Sequence, residues 1–190
     1  MAPFDLHLMR HGAPETPGRL LGRTDDAPAP SGIAACRAAA RRLDIGALVH
    51  SGLQRTAAPA RAIATERTLP IAEDARWREL DFGLWDGRAP DQVDAAALAR
   101  FRDDPDGSPP PGGERWSALV ARVAAALAAL PPRPTLVLTH GGAIRAALAA
   151  LFGFSPAQLW AFDLPYAACL TLRIWPGEER PTALLTELRS

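Results

Sequence analysis

The sequence predicts an α/β fold, a three-layer sandwich whose mostly parallel central sheet carries helices on both faces and has an antiparallel edge. Three observations support this prediction. Short apolar runs with β-like character recur along the chain, stretches rich in alanine and arginine with helical periodicity lie between most of them, and the last two runs have no helix between them. The proline-rich segments lie inside this pattern, so we interpret them as loops and expect a single domain over residues 1–190.

Each predicted strand is a short run of mainly apolar residues. The five runs are Phe4–Met9, Ala47–His50, Thr135–Thr139, Ala168–Trp175 and Thr182–Leu188. The predicted helices are Ser31–Leu43, Leu53–Arg67, Asp91–Arg102, Glu114–Leu130 and Gly142–Leu151, with a short turn at Pro156–Phe162. Ser31 is expected to cap the first helix, because serine accepts hydrogen bonds from the free N–H groups there. Pro59 is expected to delay or kink the second helix.

Composition excludes several functional classes. The 190 residues carry 21 basic and 21 acidic side chains, so no overall positive charge attracts nucleic acid or an anionic membrane surface. No apolar run reaches the roughly 20 residues that span a bilayer, and no basic stretch precedes an apolar one at the N-terminus, so no signal peptide is expected.

The two cysteines, Cys36 and Cys169, have no metal-ligand spacing, so neither a disulfide framework nor a metal centre is predicted and a cytoplasmic location is expected. All basic residues are arginine. Base composition of the coding sequence explains this bias most simply, so each arginine is judged by its position.

Polar residues follow three of the predicted strands. Arg10-His11-Gly12 follows the first strand, Ser51-Gly52-Leu53-Gln54-Arg55 the second, and His140-Gly141-Gly142 the third. Ligands of parallel α/β sheets bind outside the carboxyl ends of the strands. We therefore expect two histidines and two arginines to meet at one edge of the sheet.

This combination suits phosphoryl chemistry. Two guanidinium groups can bind a tetrahedral dianion, and Gly141-Gly142 at the start of a helix adds backbone N–H donors. His11, as a neutral imidazole beside Gly12, can attack phosphorus, and no divalent metal or other cofactor is required to neutralise the charge. The departing alkoxide needs a proton, for which the loop at 77–87 offers Glu79, Asp81 and Asp86.

Simpler interpretations exist for each residue alone. A histidine at a strand end is often structural, an arginine on a helix often faces solvent, and a loop glutamate is usually surface. His7 and His50 lie inside predicted strands, and we interpret them as core or edge residues. Arg145, on the helix after His140, is also interpreted as structural.

Four ordered segments resemble motifs of the histidine phosphatase superfamily, the phosphoglycerate-mutase-like proteins. They are Leu8–Gly12, Ser51–Ala57, Glu79–Gly87 and Val137–Arg145, and the resemblance extends from about residue 5 to residue 175. It implies that His11 becomes phosphohistidine and that Arg10, Arg55 and His140 bind the phosphate. It also implies that Glu79 donates the proton and later activates water. The sequence departs from the usual pattern in having Ala13 after Gly12, no asparagine, and Gly52 at a common proline position.

Family mutases carry an insertion after the acidic residue, whereas here Glu79 is followed directly by Leu80-Asp81-Phe82-Gly83, which favours a phosphatase. The tract at 18–25 and the loop at 80–87 look most like α-ribazole phosphatases, with Arg19 and Arg23 as candidates for the rim of the substrate pocket. The expected partner is a small phosphomonoester. Oligomers are possible, but the sequence does not indicate them. Alternatives are a general sugar- or glycerate-phosphate phosphatase, a phosphoglycerate mutase, or an inactive phosphate-binding module.

Overall fold

A mixed sheet forms the centre of the molecule. The computed structural model describes residues 2–177 and 181–190, and in this part of the chain the strands are β1 (Phe4–Arg10), β2 (Ala47–His50), β3 (Ile71–Glu73), β4 (Thr135–Thr139), β5 (Cys169–Trp175) and β6 (Thr182–Arg189). Their order is β3-β2-β4-β1-β5-β6. β3, β2, β4 and β1 run parallel, whereas β5 pairs antiparallel with both β1 and β6. The predicted parallel sheet with an antiparallel edge is confirmed.

Helices cover both faces of the sheet. They are α1 (Pro30–Ala40), α2 (Gln54–Arg67), α3 (Ala95–Asp103), α4 (Trp116–Ala128), α5 (Gly141–Phe152) and α6 (Pro156–Leu159). Strand β4 illustrates the three layers, since neighbouring strand residues point to opposite faces. Leu136 and Leu138 pack with residues of α1 and α2, and Val137 packs with residues of α4 and α5. The predicted three-layer sandwich is therefore confirmed.

Several local predictions differ from the structure. Strand β3 was not predicted, because its three residues are exposed and show no alternation of polar and apolar side chains. Helix α1 begins at Pro30, and no side chain caps it, so the prediction that Ser31 is the N-cap is wrong. Helix α2 begins at Gln54 and continues through Pro59, with no late start. The stretch predicted as one helix at 91–102 is divided into a 3-10 turn, Pro90–Gln92, and α3.

The remaining predictions for individual residues concern the core. His7 is buried in β1, where its ring contacts the hydroxyl of Thr171 and the carbonyl of Asp44, both at 3.0 Å. His50 is buried in β2 and accepts a hydrogen bond from the Gly52 N–H. Cys36 and Cys169 are free, buried thiols. No helix among the described residues is long and apolar enough to cross a membrane.

Candidate active site

The carboxyl ends of β1, β2 and β4 bring the polar residues predicted from the sequence to one place. β4 lies between β1 and β2, and all three are parallel. The backbone N–H of His11 donates to the carbonyl of Thr139 at 2.8 Å, which joins the residues after β1 and β4. The ring centroids of His11 and His140 are 5.2 Å apart. The predicted meeting of the two histidines is thus present in the structure.

His11 is held as a neutral imidazole. Its Nδ1 lies 2.7 Å from the carbonyl oxygen of Gly12. Since a carbonyl can only accept, Nδ1 must carry the proton, which leaves a lone pair on Nε2. Burial and then the Arg55 guanidinium lower the pKa of His11 to about 3. Near neutral pH, Nε2 is therefore unprotonated and chemically able to act as a nucleophile.

Glycine is required next to this histidine. A Cβ atom on Gly12 would lie 2.0 Å from the carbonyl oxygen of Gly32 in α1, and a Cβ on Gly32 would lie 2.3 Å from the carbonyl oxygen of Ala13. The loop after β1 therefore packs backbone against backbone on α1. This contact positions the carbonyl of Gly12 that holds the His11 ring.

A chain of hydroxyl groups determines the tautomer of His140. Its Nε2 lies 2.8 Å from Ser51 Oγ, which lies 2.8 Å from Thr56 Oγ1, and Thr56 donates to the carbonyl of Leu53. Because the Thr56 proton is used on that carbonyl, Ser51 must donate to Thr56. Nε2–H of His140 then donates to Ser51, so Nδ1 carries the lone pair in the neutral ring. Burial, followed by Arg55 and His11, holds the pKa of His140 well below its usual value.

Two arginines lie beside the histidines, the partly buried Arg10 and the fully buried Arg55. Nη1 of Arg10 donates to the carbonyl of Leu164, and its guanidinium carbon lies 4.3 Å from the ring centroid of Tyr166. The terminal nitrogens of Arg55 donate to carbonyls in the loop at 21–24, those of Leu21, Gly22 and Thr24. The loop carbonyls thus occupy both terminal nitrogens of Arg55, which were expected to bind the phosphate as a bidentate fork. The Nε of Arg55 has no such partner in the described part of the chain.

Three side-chain nitrogens of the two arginines and His140 are buried and have no hydrogen-bond partner among the described residues. They are Arg10 Nε, Arg55 Nε and His140 Nδ1. Buried polar atoms without partners are uncommon and costly in folded proteins. Arg10 and Arg55 carry positive charge, and His140 Nδ1 becomes a donor once the ring is protonated. A tetrahedral oxyanion supplies acceptors for all three.

Glu79 caps helix α5. Its Oε2 accepts from the backbone N–H of Gly142 at 3.0 Å, and its Oε1 accepts from the N–H of Leu80 at 2.8 Å. A Cβ on Gly142 would lie 2.1 Å from Oε1, so glycine permits this approach. The Gly142 N–H, expected from the sequence to be open to a phosphate, is therefore occupied by Glu79. Gly141 is the first residue of α5 and lies beside Arg10, at the candidate site.

The segment that carries Glu79 is fastened by residues that the sequence did not single out. Arg122 in α4 donates to the carbonyls of Arg76, Arg78 and Glu79 at 2.7–2.8 Å, and it also pairs with Glu114. Thr139 Oγ1 donates to the carbonyl of Trp77. A helix arginine gives no sequence signal of such a role. Tyr166 beside Arg10 was also missed, although it is the only tyrosine in the chain.

The other loop acids are engaged elsewhere. Asp86 accepts from the N–H groups of Gly22 and Thr24 at 2.7 Å, so it holds the loop that contacts Arg55. Asp81 pairs with Arg23 at 2.8 Å, and the Arg23 side chain is 79% exposed. Arg23 therefore lies at the surface beyond the buried pocket. Arg19 donates to the carbonyl of Gly87.

Metal binding has no obvious place in this arrangement. Within residues 2–177 and 181–190, no group of three His, Cys, Asp or Glu side chains is suitably placed to hold a metal ion. The charged groups at the site include Arg10, Arg55 and Glu79. The arrangement can bind an anion and offer it one nucleophilic nitrogen.

Comparison with known proteins identifies the family of this chain. Residues 6–186 match the family described as the histidine phosphatase superfamily (branch 1). The chain belongs to this superfamily. Glucosyl-3-phosphoglycerate phosphatase from Mycolicibacterium vanbaalenii is 32% identical over 174 residues, covering 82% of this chain and 76% of that protein. A protein named probable phosphoglycerate mutase, from Proteus mirabilis, is 32% identical over 163 residues, covering 79% and 75%.

Solved structures of the superfamily share the fold. The mycobacterial glucosyl-3-phosphoglycerate phosphatase superposes with a TM-score of 0.85 at 27% identity, covering 97% of this chain and 98% of that one. The α-ribazole phosphatase from Shigella flexneri gives a TM-score of 0.78 at 23% identity, covering 96% and 95%. The second likeness concerns the fold alone. The family match over residues 6–186 therefore includes nearly all of the described sheet and all of the helices.

Proposed function

We propose that this protein is a phosphomonoesterase that acts on a small phosphorylated metabolite through a phosphohistidine at His11. The observation that carries the proposal is the neutral His11 with a free Nε2 lone pair, whose ring centroid lies 5.2 Å from that of His140, together with three buried nitrogens without partners on His140, Arg10 and Arg55. Phosphate dianion supplies both the electrophile for the lone pair and the acceptors for the nitrogens. Arg10, Arg55 and His140, with the backbone of Gly12 and Gly141, bind its oxygens in this proposal.

The first step transfers the phosphoryl group to the enzyme. Nε2 of His11 forms a bond to phosphorus while the bond from phosphorus to the ester oxygen breaks. The ester oxygen leaves with the electron pair of that bond and takes a proton from the carboxylic acid of Glu79. The arginines stabilise the charge on the three remaining phosphoryl oxygens, and His140 does so too once the negative charge of the bound dianion raises its pKa and Nδ1 takes up a proton.

The second step returns the enzyme to its starting state. A water molecule attacks the phosphorus, and the Glu79 carboxylate accepts its proton. The P–N bond breaks, its electron pair returns to Nε2 of His11, and inorganic phosphate leaves. Glu79 is suited to this alternation because two backbone N–H groups hold its carboxyl group in one position.

The natural substrate within this class stays a prediction. Direct continuation from Glu79 into Leu80, without an insertion, favours a phosphatase over a mutase. The sequence tract at 18–25 favours α-ribazole 5′-phosphate, and the relatives' names favour a glycerate or sugar phosphate. The proposed mechanism needs no metal ion, so excess EDTA should leave the hydrolysis of p-nitrophenyl phosphate unchanged. Loss of turnover that Mg²⁺ restores would contradict it.

Trapping of the phosphoenzyme tests the proposal. Rapid quenching of the enzyme with ³²P-labelled p-nitrophenyl phosphate should leave a protein-bound label that is labile in acid and stable in base, as a phosphoramidate is. His11→Ala should carry no label and show essentially no turnover. His7→Gln removes another buried histidine, outside the site, and should keep both. Labelling of His11→Ala would place the nucleophile on another residue.

The leaving group tests Glu79 separately. A p-nitrophenolate departs without a proton, whereas the alkoxide of glycerol phosphate requires one. Glu79→Gln should therefore slow phosphoryl transfer from glycerol phosphate about 10²–10⁴-fold, and slow transfer from the nitrophenyl ester far less. Single-turnover measurements are needed, because the second step also uses Glu79. Asp81→Asn, in the same loop, is the matched control, and equal losses on both esters would assign Glu79 a purely structural role.

A further inference from the structure

A cavity of about 250 Å³ adjoins the candidate active site. Residues of α3, α4, α5 and α6 line it, and Glu79, Arg10 and Gly142 form part of its wall. Glu79 is the residue proposed to protonate the ester oxygen. The alcohol part of a bound phosphomonoester must extend from that oxygen, so the cavity beside Glu79 is the space available to it.

Apolar side chains supply most of the cavity wall. They include Leu20, Phe82, Leu98, Phe101, Trp116 and Leu159. Phe101 and Leu159 are buried members of the main hydrophobic core, and the others named are partly buried against it. The cavity wall is therefore continuous with the hydrophobic core, and the cavity is a gap in that core next to the site.

Four charged residues also contribute to the lining of this cavity: Arg10, Glu79, Arg102 and Arg145. Arg145 Nη1 and Arg10 Nε lie 3.2 and 3.8 Å from one point, the position of a Cβ atom on Gly141, so Arg145 belongs to the edge next to the phosphate. Its other nitrogens donate to the carbonyls of Leu159 and Phe162, in agreement with the structural role predicted for it. Arg102, also on the wall, is exposed to solvent.

We propose that this cavity, between Glu79 and Leu98, binds the alcohol part of the substrate and selects an aromatic or similarly compact apolar group. The inference rests on the proposed phosphomonoesterase activity. A sugar in the same place would lose the bonds of its hydroxyl groups to water and meet mainly carbon atoms. The volume is sufficient, because an apolar protein cavity of about 150 Å³ binds benzene.

Two esters of primary alcohols give a direct comparison. Benzyl phosphate and glucose 6-phosphate both release an alkoxide, so both need the proton from Glu79, but only the first has an aromatic group. Burial of a group of this size contributes roughly tenfold to a hundredfold in affinity for the transition state. We expect kcat/KM for benzyl phosphate to exceed that for glucose 6-phosphate by about this factor.

Substitution of the cavity wall tests the location. Leu98→Asn puts an amide on the partly buried wall, and it should reduce the benzyl to glucose preference at least about tenfold. Leu184→Asn makes the same change on β6, where the side chain is 55% exposed, and it should leave the preference unaltered. Circular dichroism and thermal melting show whether each variant is folded. Trp116→Gln is a second wall variant, with the same expected result, should Leu98→Asn fail to fold.

The outcomes separate the two proposals. If the wild-type protein hydrolyses p-nitrophenyl phosphate and forms phosphohistidine but prefers glucose 6-phosphate, the inference about the cavity is wrong and the proposed function stands. The same holds if both wall variants keep the wild-type preference. If the wild-type protein hydrolyses no phosphomonoester and takes up no label, the proposed function itself is wrong, and the cavity proposal is overturned with it.

Discussion

Acidification should destabilise this protein through the histidines of the candidate site. The native pKa of His11 is lowered to about 3, whereas in the unfolded chain an ordinary histidine has a pKa near 6.5. Between these values the unfolded state binds a proton that the native state does not. The free energy of unfolding therefore falls as the pH falls below about 6.5.

The size of this effect follows from the two pKa values. Between pH 7 and pH 5, protonation of the unfolded chain at one histidine lowers the free energy of unfolding by about 2 kcal/mol. The result barely changes if the native pKa of His11 is one unit higher. His140, whose pKa is also far below the usual value, should contribute a similar amount. Two such residues represent a large part of the roughly 5–15 kcal/mol that stabilises a typical domain.

Urea denaturation at pH 7, 6 and 5 measures the effect, in buffers without phosphate because a bound anion would stabilise the native state. His11→Asn should show a pH dependence that is smaller than that of the wild type by about 2 kcal/mol. Asp26→Asn is a suitable control, because the pKa of Asp26 is lowered from 3.8 and lies below this pH range. An identical pH dependence for His11→Asn and wild type would refute the reasoning.

Three further predictions concern the residues around His11. Arg10→Lys keeps the charge but loses the planar guanidinium, and kcat/KM for p-nitrophenyl phosphate should fall about tenfold to a thousandfold. Ser51→Ala frees the His140 tautomer, so kcat should fall and its pH profile should shift, whereas Ser51→Thr, which restores a hydroxyl, should recover part of the loss. Gly12→Ala should destabilise the protein by about 2–3 kcal/mol in urea denaturation because its Cβ meets a backbone oxygen, whereas Gly46→Ala, with its nearest contact at 3.4 Å, should not.

The sequence was informative where regular structure carries the functional residues. Arg10 ends a parallel strand and His11 and His140 directly follow parallel strands, so their meeting could be predicted because the carboxyl ends of parallel strands share one edge of the sheet. The position of Glu79 could not be predicted in this way, because Glu79 lies in an irregular loop and belongs to no predicted strand or helix. Its candidacy depended on the resemblance to a family, and the contact with Gly142 became visible only in the structure.

The missed features depend on contacts between distant parts of the chain. The chain of hydrogen bonds through His140, Ser51 and Thr56 connects the ends of two strands to a helix. Serine and threonine are too common in sequences for these two to be recognised in advance as partners of His140. Arg122 reaches the Glu79 segment from 43 residues away, and its surroundings in sequence are those of any helix arginine. The use of Arg55 to hold a loop was missed for the same reason.

The partners of Arg10 and Arg55 have a consequence for the product. In the part of the chain that the structure describes, both guanidinium groups are held by carbonyl oxygens, and no carboxylate lies within ion-pair distance of either. Carbonyl groups fix an arginine in place without neutralising it, so each guanidinium keeps its positive charge without a directly paired carboxylate, and acidic side chains such as Glu79 and Asp25 act on Arg55 only at longer range. Inorganic phosphate carries the same tetrahedral dianion as the proposed substrate, so we expect it to bind the same two arginines and to inhibit hydrolysis competitively.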